Sequence, residues 1–503
     1  MQTSIPRNVL FGFLSWLLPL VSTIIVTPFV IRGMGAEEFG LYTLVLGFIG
    51  YSFVFGTGRA ATKYVAEYNQ SGEIEKVENI LSATLILSLL IGVGGALVLA
   101  VAAKVLVADL LLIKTDLQIK AVTAFYLAAA TVALMMLQQV YSALLQAVNR
   151  FDWFSHITTL FSTLLSVGNL ILVWRGGDAL VLLWWNLILT VGGAMAFYWA
   201  ARRALPSARF RLFRWRLENL RLVARYSAGV IGYQICGNIL LLFERSWITR
   251  NLGAESLTYY TVPMQLAGYI HLFIGSFLLV LMPLASALSV ERDNPLLLSL
   301  YLRASKIVCL LAVLAAVAAI IGSRAFLELW LGAEFAERSA TVMILHVLTW
   351  GVMATCIVGW QLADGMGFPS RNAWLVFAFL IISAPLMILL LPSYGLVGAA
   401  AGRAAGVVLS VPIFIALMER VIFGKIQMNF WRQIIMTLIL AGGAGGATEF
   451  VLLKILPLNW FSLILSVASS ILIFLGVLLL LRYFTLEERI WLQKFAGRAF
   501  AAN

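Results

Sequence analysis

Nothing limits the fold of this chain more than its long uncharged runs. From Asn8 to Ile31 there are 24 consecutive residues without a charge, enough at about 1.5 Å per residue for a helix to cross the ~30 Å hydrocarbon core of a bilayer. The run exceeds the roughly 7 to 15 apolar residues of a signal-peptide core and lacks an A-x-A-like cleavage site, so it is expected to be retained as the first span. Predominantly apolar segments of similar length, some carrying a few charges, recur near 39–60, 80–103, 118–147, 152–174 and 178–201, then 225–249, 257–285, 298–322, 339–364, 371–391 and 395–420, and finally 433–455 and 460–481. The expected fold class is all-α, a polytopic membrane protein of about 14 transmembrane helices grouped six, six and two. Only 12% of residues are charged, against about 25% in soluble domains.

The first two groups are duplicates. RGMGAEEFGLYT, from Arg32 to Thr43, returns as RNLGAESLTYYT from Arg250 to Thr261, with six of twelve positions identical at an offset of 218. A period that long is no solenoid repeat, where periods run about 20 to 50 residues; it marks the copying of a whole bundle. Six helices per copy is an even number, so both copies start on the same side and are expected to be related by an axis along the membrane normal, as in carriers that work by alternating access. The expected division is an N-lobe over 1–201, a basic connector over 202–224, a C-lobe over 225–420, two further helices within 421–482 and a cytoplasmic interfacial helix over 483–503. In that last segment Thr485 and Glu488 form a capping box, and Phe484, Ile490, Trp491 and Phe495 alternate with basic residues.

Basic residues set the orientation. With the N-terminus cytoplasmic, 23 of the 35 Lys and Arg fall on the inner side and 9 on the outer, with Arg59, Arg245 and Arg403 in or at the edge of spans. Both termini are therefore expected in the cytoplasm. The net charge of +12 concentrates in RRALPSARFRLFRWRLENLRLVAR, a connector suited to anionic lipid headgroups rather than nucleic acid. Cys236, Cys309 and Cys356 lie inside apolar runs, and no Cys/His group has metal-ligand spacing, so neither a disulfide framework nor a metal or other cofactor is expected. There is no nucleotide-binding loop.

Ionisable residues inside spans are the candidates for function. On span seven Gln234, Asn238 and Arg245 are separated by four and seven residues and fall on one helical face, a polar stripe expected to look into a lumen. Glu244 is one residue, about 100°, away from Arg245 and so is not expected to pair with it; an ion pair to another helix and a role in ion coupling both remain open. Arg403 lies inside span twelve beside Gly398, Gly402, Gly406 and Ser410, small residues expected at a close helix contact. Arg59, at the inner end of span two with Lys63 one turn on, either reaches headgroups or meets an anionic substrate. Asp364, beside Gln361 at the inner end of span ten, is a second ion-coupling candidate or a solvated turn residue. His271 and His346 are structural residues or proton carriers. Arg59, Arg245 and Arg403 against Glu244 give a cationic balance that favours an anionic cargo. Guanidinium binds phosphate oxygens through paired hydrogen bonds, so Arg59, Arg245 and Arg403, with Gln234 and Asn238, are the expected substrate-binding residues, Arg245 and Arg403 at a diphosphate.

The stretches GAEEFGLYTLVLGFIGYSFVFGTGRAATKYVAEYN, FERSWITRNLGAESLTYYTVP and PSYGLVGAAAG resemble the polysaccharide transporters, including O-antigen flippases, of the multidrug/oligosaccharidyl-lipid/polysaccharide exporter superfamily. In that family an acidic residue precedes a short apolar run and a loop glycine at span seven; here Glu244 and Gly253 stand there, with Glu in place of the commoner Asp. The resemblance implies a V-shaped cavity between two lobes in a prokaryotic inner membrane. Through it a polyprenyl-diphosphate-linked oligosaccharide passes for surface polysaccharide biosynthesis, with polysaccharide polymerase and glycosyltransferases as partners. A multidrug exporter and a peptidoglycan lipid-intermediate flippase share that layout. A membrane glycosyltransferase would need loop carboxylates, and SRAFLELWLGAEFAERS offers no obvious catalytic pair.

Overall fold

The computed structural model describes residues 5–52, 57–207, 216–278, 295–366 and 368–485; the proposed interfacial helix beyond Thr485, with its capping box, and the centre of the basic connector lie outside the described residues. The chain is all-helical among them. In order come α1 (Ile5–Met34), α2 (Ala36–Tyr51), α3 (Thr57–Gln70), α4 (Ile74–Val105), α5 (Thr115–Ala147), α6 (Phe151–Trp174), α7 (Ala179–Ala204) and α8 (Leu217–Phe277), then α9 (Pro295–Ile321), α10 (Ser323–Leu331), α11 (Ala333–Thr355), α12 (Ile357–Gly365), α13 (Pro369–Phe423), α14 (Met428–Ile455) and α15 (Trp460–Leu480).

Nine helices among the described residues are long and apolar enough to cross a membrane. That is a multi-span membrane protein. Two of the helices are folded back on themselves: a straight α13 would extend roughly 80 Å, more than twice a bilayer core. It breaks at Gly395 (φ 57, ψ −137), and α8 breaks at Gly253 (φ 84, ψ 167). Gly35, the counterpart of Gly253 in the first copy of the repeat, has nearly the same conformation (φ 85, ψ 160). Backbone of this kind is essentially confined to glycine. A third Gly-Ala-Glu, at Gly332 (φ 104, ψ 166), repeats the joint. In each, the Glu sits in the first turn of the helix that follows, where a carboxylate meets the positive end of the helix dipole.

The described residues form two compact units. One comprises 1–262 with 369–406, the other 263–368 with 407–503. In the first, Ala60, Val65, Val77, Ile80, Leu81, Leu144, Ala201 and Val223 build a buried apolar core. The two copies of the repeat touch each other here. A Cβ on Gly40 would stand 1.8 Å from the Ala254 carbonyl oxygen, and the Thr258 hydroxyl donates to the Ala36 carbonyl at 2.6 Å. Thr258 and Ala254 are the offset counterparts of Gly40 and Ala36, so the contact runs both ways, the reciprocal pattern of a two-fold relation. Nearby, Lys120 bridges Glu38 at 2.5 Å and Asp178 at 2.9 Å, while Arg250 donates to the carbonyls of Asp109 and Leu110, both at 2.7 Å.

The second unit has cores around Ile274, Tyr301, Val308, Ala354 and Val358 and around Leu310, Ile434, Leu438, Phe474 and Leu478. Glu419 is fully buried in it yet well supplied, accepting from Tyr301 Oη at 3.0 Å, Trp431 Nε1 at 2.6 Å and the Gln427 amide at 2.7 Å. It thereby pins the turn that Gly424, in the left-handed region (φ 71), opens after α13. All three cysteines are free thiols.

Candidate functional site

The break at Gly395 turns the second limb of α13 back onto the first, and small residues bring the two backbones together. A Cβ on Gly398 would lie 2.2 Å from the Leu390 carbonyl oxygen, one on Gly402 2.7 Å from the Met387 nitrogen, and one on Gly406 2.0 Å from Ser383 Oγ. This is the close contact that the four-residue spacing predicts. With the glycines taking that face, Arg403 is carried to another, where its guanidinium lies 5.3 Å from the centroid of Phe379.

Its partner is Glu244. The two side chains are 4% and 0% exposed and form an ion pair through Arg403 Nη1 and Glu244 Oε1. Tyr260, fully buried, lies beside both and beside Arg245. The site thus draws on both limbs of α8 and both limbs of α13, all within the first unit. Tyr42, at the repeat position equivalent to Tyr260, is also buried but accepts a neutral hydrogen bond from Asn169 Nδ2 at 3.1 Å. The residue 218 positions before Glu244 is Val26. The scaffold is duplicated and the charge is not.

Arg245 takes a different direction, as its 100° step from Glu244 requires. Its guanidinium stacks 5.0 Å from the centroid of Tyr51 on α2, and a Cβ on Gly47 would stand 2.4 Å from its Cδ. One N–H goes back to the Leu241 carbonyl at 3.2 Å; Nε makes no hydrogen bond among the described residues. Arg403 therefore neutralises Glu244, and the half-buried positive charge of Arg245 has no carboxylate paired to it among the described residues. Gln234 and Asn238 lie on the same limb of α8, both half-buried, and Gln234 Oε1 is buried without a hydrogen bond among the described residues.

The other sequence candidates stand elsewhere. Arg59 is exposed on α3 of the first unit, and Lys63 one turn on lies over the rings of Tyr64 and Tyr226, at 5.0 and 4.8 Å. Asp364, half-buried at the end of α12, belongs to the second unit. His271 and His346 also belong there; His271 packs on Trp350 with ring centroids 5.5 Å apart. Sequence reasoning did not single out Tyr51, Tyr260 or Phe379. For Tyr51 and Tyr260 the signal was present, since Gly50-Tyr51 recurs at the same offset as Gly268-Tyr269 and Tyr42-Thr43 as Tyr260-Thr261; for Phe379, an aromatic among aromatics, there was none.

A comparison with known proteins places this arrangement. A family model described as polysaccharide biosynthesis protein matches residues 6–289. The "Putative O-antigen transporter" of Shigella flexneri is 20% identical over 423 residues, covering 81% of this chain and 96% of that protein. The fold matches the lipid II flippase MurJ in an inward closed conformation (TM-score 0.71, 14% identity, 94% of this chain and 98% of the other). It also matches an inward-facing multidrug resistance MATE family transporter of the MOP superfamily (TM-score 0.69, 17% identity, 82% and 98%). With the family model covering more than half of its length, and with a fold shared across that superfamily, this chain belongs to the polysaccharide biosynthesis protein family.

Proposed function

We propose that this chain is a flippase, not an enzyme, that carries a lipid-linked polysaccharide precursor across the inner membrane by alternating access. Two six-helix lobes, 1–201 and 225–420, make the carrier within a total of about 14 spans, and both termini are cytoplasmic. The reciprocal contact between the repeat copies supports the two-fold relation that such lobes require.

The observation that carries the proposal is the charge left over on α8. Glu244 is neutralised by Arg403, and Arg245 retains a positive charge held between Tyr51 and Gly47. A guanidinium in a poorly hydrated setting favours phosphate oxygens. The cargo is accordingly a polyprenyl-diphosphate-linked glycan: Arg245 meets its diphosphate, Gln234 and Asn238 meet its hydroxyl groups, and Arg403 keeps Glu244 from repelling it. Arg59 gathers the anionic headgroup on the cytoplasmic side. An exporter of cationic drugs would need an unneutralised carboxylate in this place. In the second unit an apolar cavity of about 620 Å³, lined by Val313, Val411, Ile415, Ile434 and Leu438 among others, suits a hydrocarbon chain. The energy comes from an ion gradient, with Asp364 or Glu244 as coupling group, or from the cargo's own gradient.

The test is turnover of a polyprenyl-diphosphate-linked oligosaccharide in proteoliposomes by wild type, Arg245→Lys and Arg245→Ala. Loss of a charged hydrogen bond of about 1.5 to 3 kcal/mol predicts a roughly 10- to 150-fold fall in kcat/KM for the Ala variant, with partial rescue by Lys. Undiminished turnover by folded Arg245→Ala overturns the assignment. Preference for a peptidoglycan lipid intermediate over the oligosaccharide in the same vesicles would assign the cargo to that class instead.

A further inference from the structure

The second unit contains a carboxylate that the flippase reading does not use. Glu449, on α14, is fully buried, and neither carboxylate oxygen makes a hydrogen bond among the described residues. The neutral hydroxyl of Ser470 on α15 lies close enough to act on the carboxyl group. Glycines create the space. A Cβ on Gly445 would stand 2.9 Å from the Ser470 carbonyl oxygen, and one on Gly446 3.3 Å from Val317 of α9, so α14 sits tightly between α15 and α9. One turn further on, Glu449 Oε1 is 3.0 Å from where a Cβ on Gly322 would be, and Leu463 closes the same spot at 3.5 Å. Gly322 and Leu463 also line a cavity of about 290 Å³ together with Phe326, Met343 and Val467. The carboxyl group therefore lies just behind the cavity wall.

No cation compensates it among the described residues. α15 has no titratable residue from Trp460 to Leu480; those of α9 (Tyr301, Arg303, Lys306, Cys309) reach no further along it than Cys309, short of Val317 where α14 packs. On α10 Arg324 is exposed and Glu328 would add charge of the same sign. On α14 itself, Lys454 lies over the Phe450 ring at 4.6 Å, and Arg432 is at the opposite end. An ionised carboxylate buried among apolar side chains, with no cation beside it and a neutral hydroxyl as its polar neighbour, is the form such surroundings disfavour; a neutral acid fits them.

We propose that Glu449 is a membrane-embedded proton-binding site, neutral at rest, that releases and regains its proton through the cavity beside Gly322 during turnover. It is separate from the Glu244–Arg403 pair, which two opposite charges already satisfy. Proton exchange during turnover rests on the flippase reading; resting protonation does not.

Two measurements on the full-length protein in liposomes separate these claims. Dicyclohexylcarbodiimide modifies carboxylic acids in apolar surroundings: the acid's oxygen bonds to the carbodiimide carbon, its proton passes to a nitrogen, and rearrangement leaves a stable N-acylurea. Peptide mass spectrometry after treatment at about pH 6 and about pH 8 is expected to find the adduct on Glu449, absent from E449Q and scarce on the exposed Glu334. No adduct on Glu449 at either pH overturns the proposal at its root. Transport of the lipid-linked oligosaccharide is then followed against pH in wild type, E449Q and E449D. The expected result is a pH dependence that E449Q flattens, with at least a tenfold loss at the wild-type optimum, and that E449D retains. An adduct together with an unchanged pH profile in E449Q overturns the exchange step. A wild type that labels at Glu449 but does not move the oligosaccharide rejects the flippase reading and leaves the resting protonation standing.

Discussion

Replacing Arg403 by Met should damage this protein far more than replacing Arg403 and Glu244 together. The side chains are 4% and 0% exposed, so removal of the guanidinium leaves a carboxylate with no water to solvate it. Two charges about 4 Å apart interact by about 4 kcal/mol at an effective dielectric of about 20, and breaking buried pairs typically costs about 3–5 kcal/mol. We expect Arg403→Met to lose that much, two to three and a half powers of ten in the unfolding equilibrium, and Glu244→Leu to lose a similar amount. The double variant buries neither charge and should come within about 1 kcal/mol of wild type, because the desolvation of both groups is relieved along with their attraction. The assay is equilibrium unfolding of the four proteins in detergent, analysed as a double-mutant cycle. A single-variant cost under about 1 kcal/mol, or costs that simply add, would refute the view that each charge is held there by the other. If the pair also shields the cargo from Glu244, Glu244→Leu, with a second unneutralised guanidinium, binds the anionic headgroup more tightly than the double variant does and releases it more slowly.

Gly40→Ala forces a methyl group against the Ala254 carbonyl, backbone on backbone at 1.8 Å, and is expected to cost about 3 kcal/mol or more, read as a lowered unfolding midpoint. Acidification should loosen the lysine network at Glu38. Burial pushes the Asp178 carboxyl up, but the Lys120 ammonium and the Val181 amide outweigh it and hold the group below its ordinary value. Its stabilisation is therefore present above about pH 4 and lost as pH falls through the depressed value; melting temperatures between about pH 3 and pH 6 should show this slope in wild type and less of it in Asp178→Asn. Glu419→Ala strands the Tyr301, Trp431 and Gln427 donors and should cost about 3 kcal/mol, accompanied by a shift in Trp431 fluorescence.

The all-helical membrane fold was legible without coordinates because a bilayer leaves a backbone few choices: runs of about 20 apolar residues must be helices. The duplication was legible for a similarly local reason, since Gly35 and Gly253 need a backbone conformation that no other residue adopts cheaply and therefore repeat as glycines. The tight contact beside Arg403 followed from the spacing of Gly398, Gly402 and Gly406, which puts three missing side chains on one face. Glu449 could have been noticed as a lone acid in an apolar run, but only its surroundings give it a meaning.

What the sequence determined by itself, then, was everything set by hydrophobicity, helical period and glycine geometry: that the chain spans a membrane many times, that part of it is copied, and that Glu244 and Arg245 point apart. Only the tertiary structure decided that Glu244 pairs with Arg403, 159 positions away, that Tyr260 and Phe379 complete the group, and that Arg245 is left with its charge. Charge pairing between helices depends on how each is rotated and where each bends, and those are settled by packing over the whole bundle. No short stretch of residues contains that information.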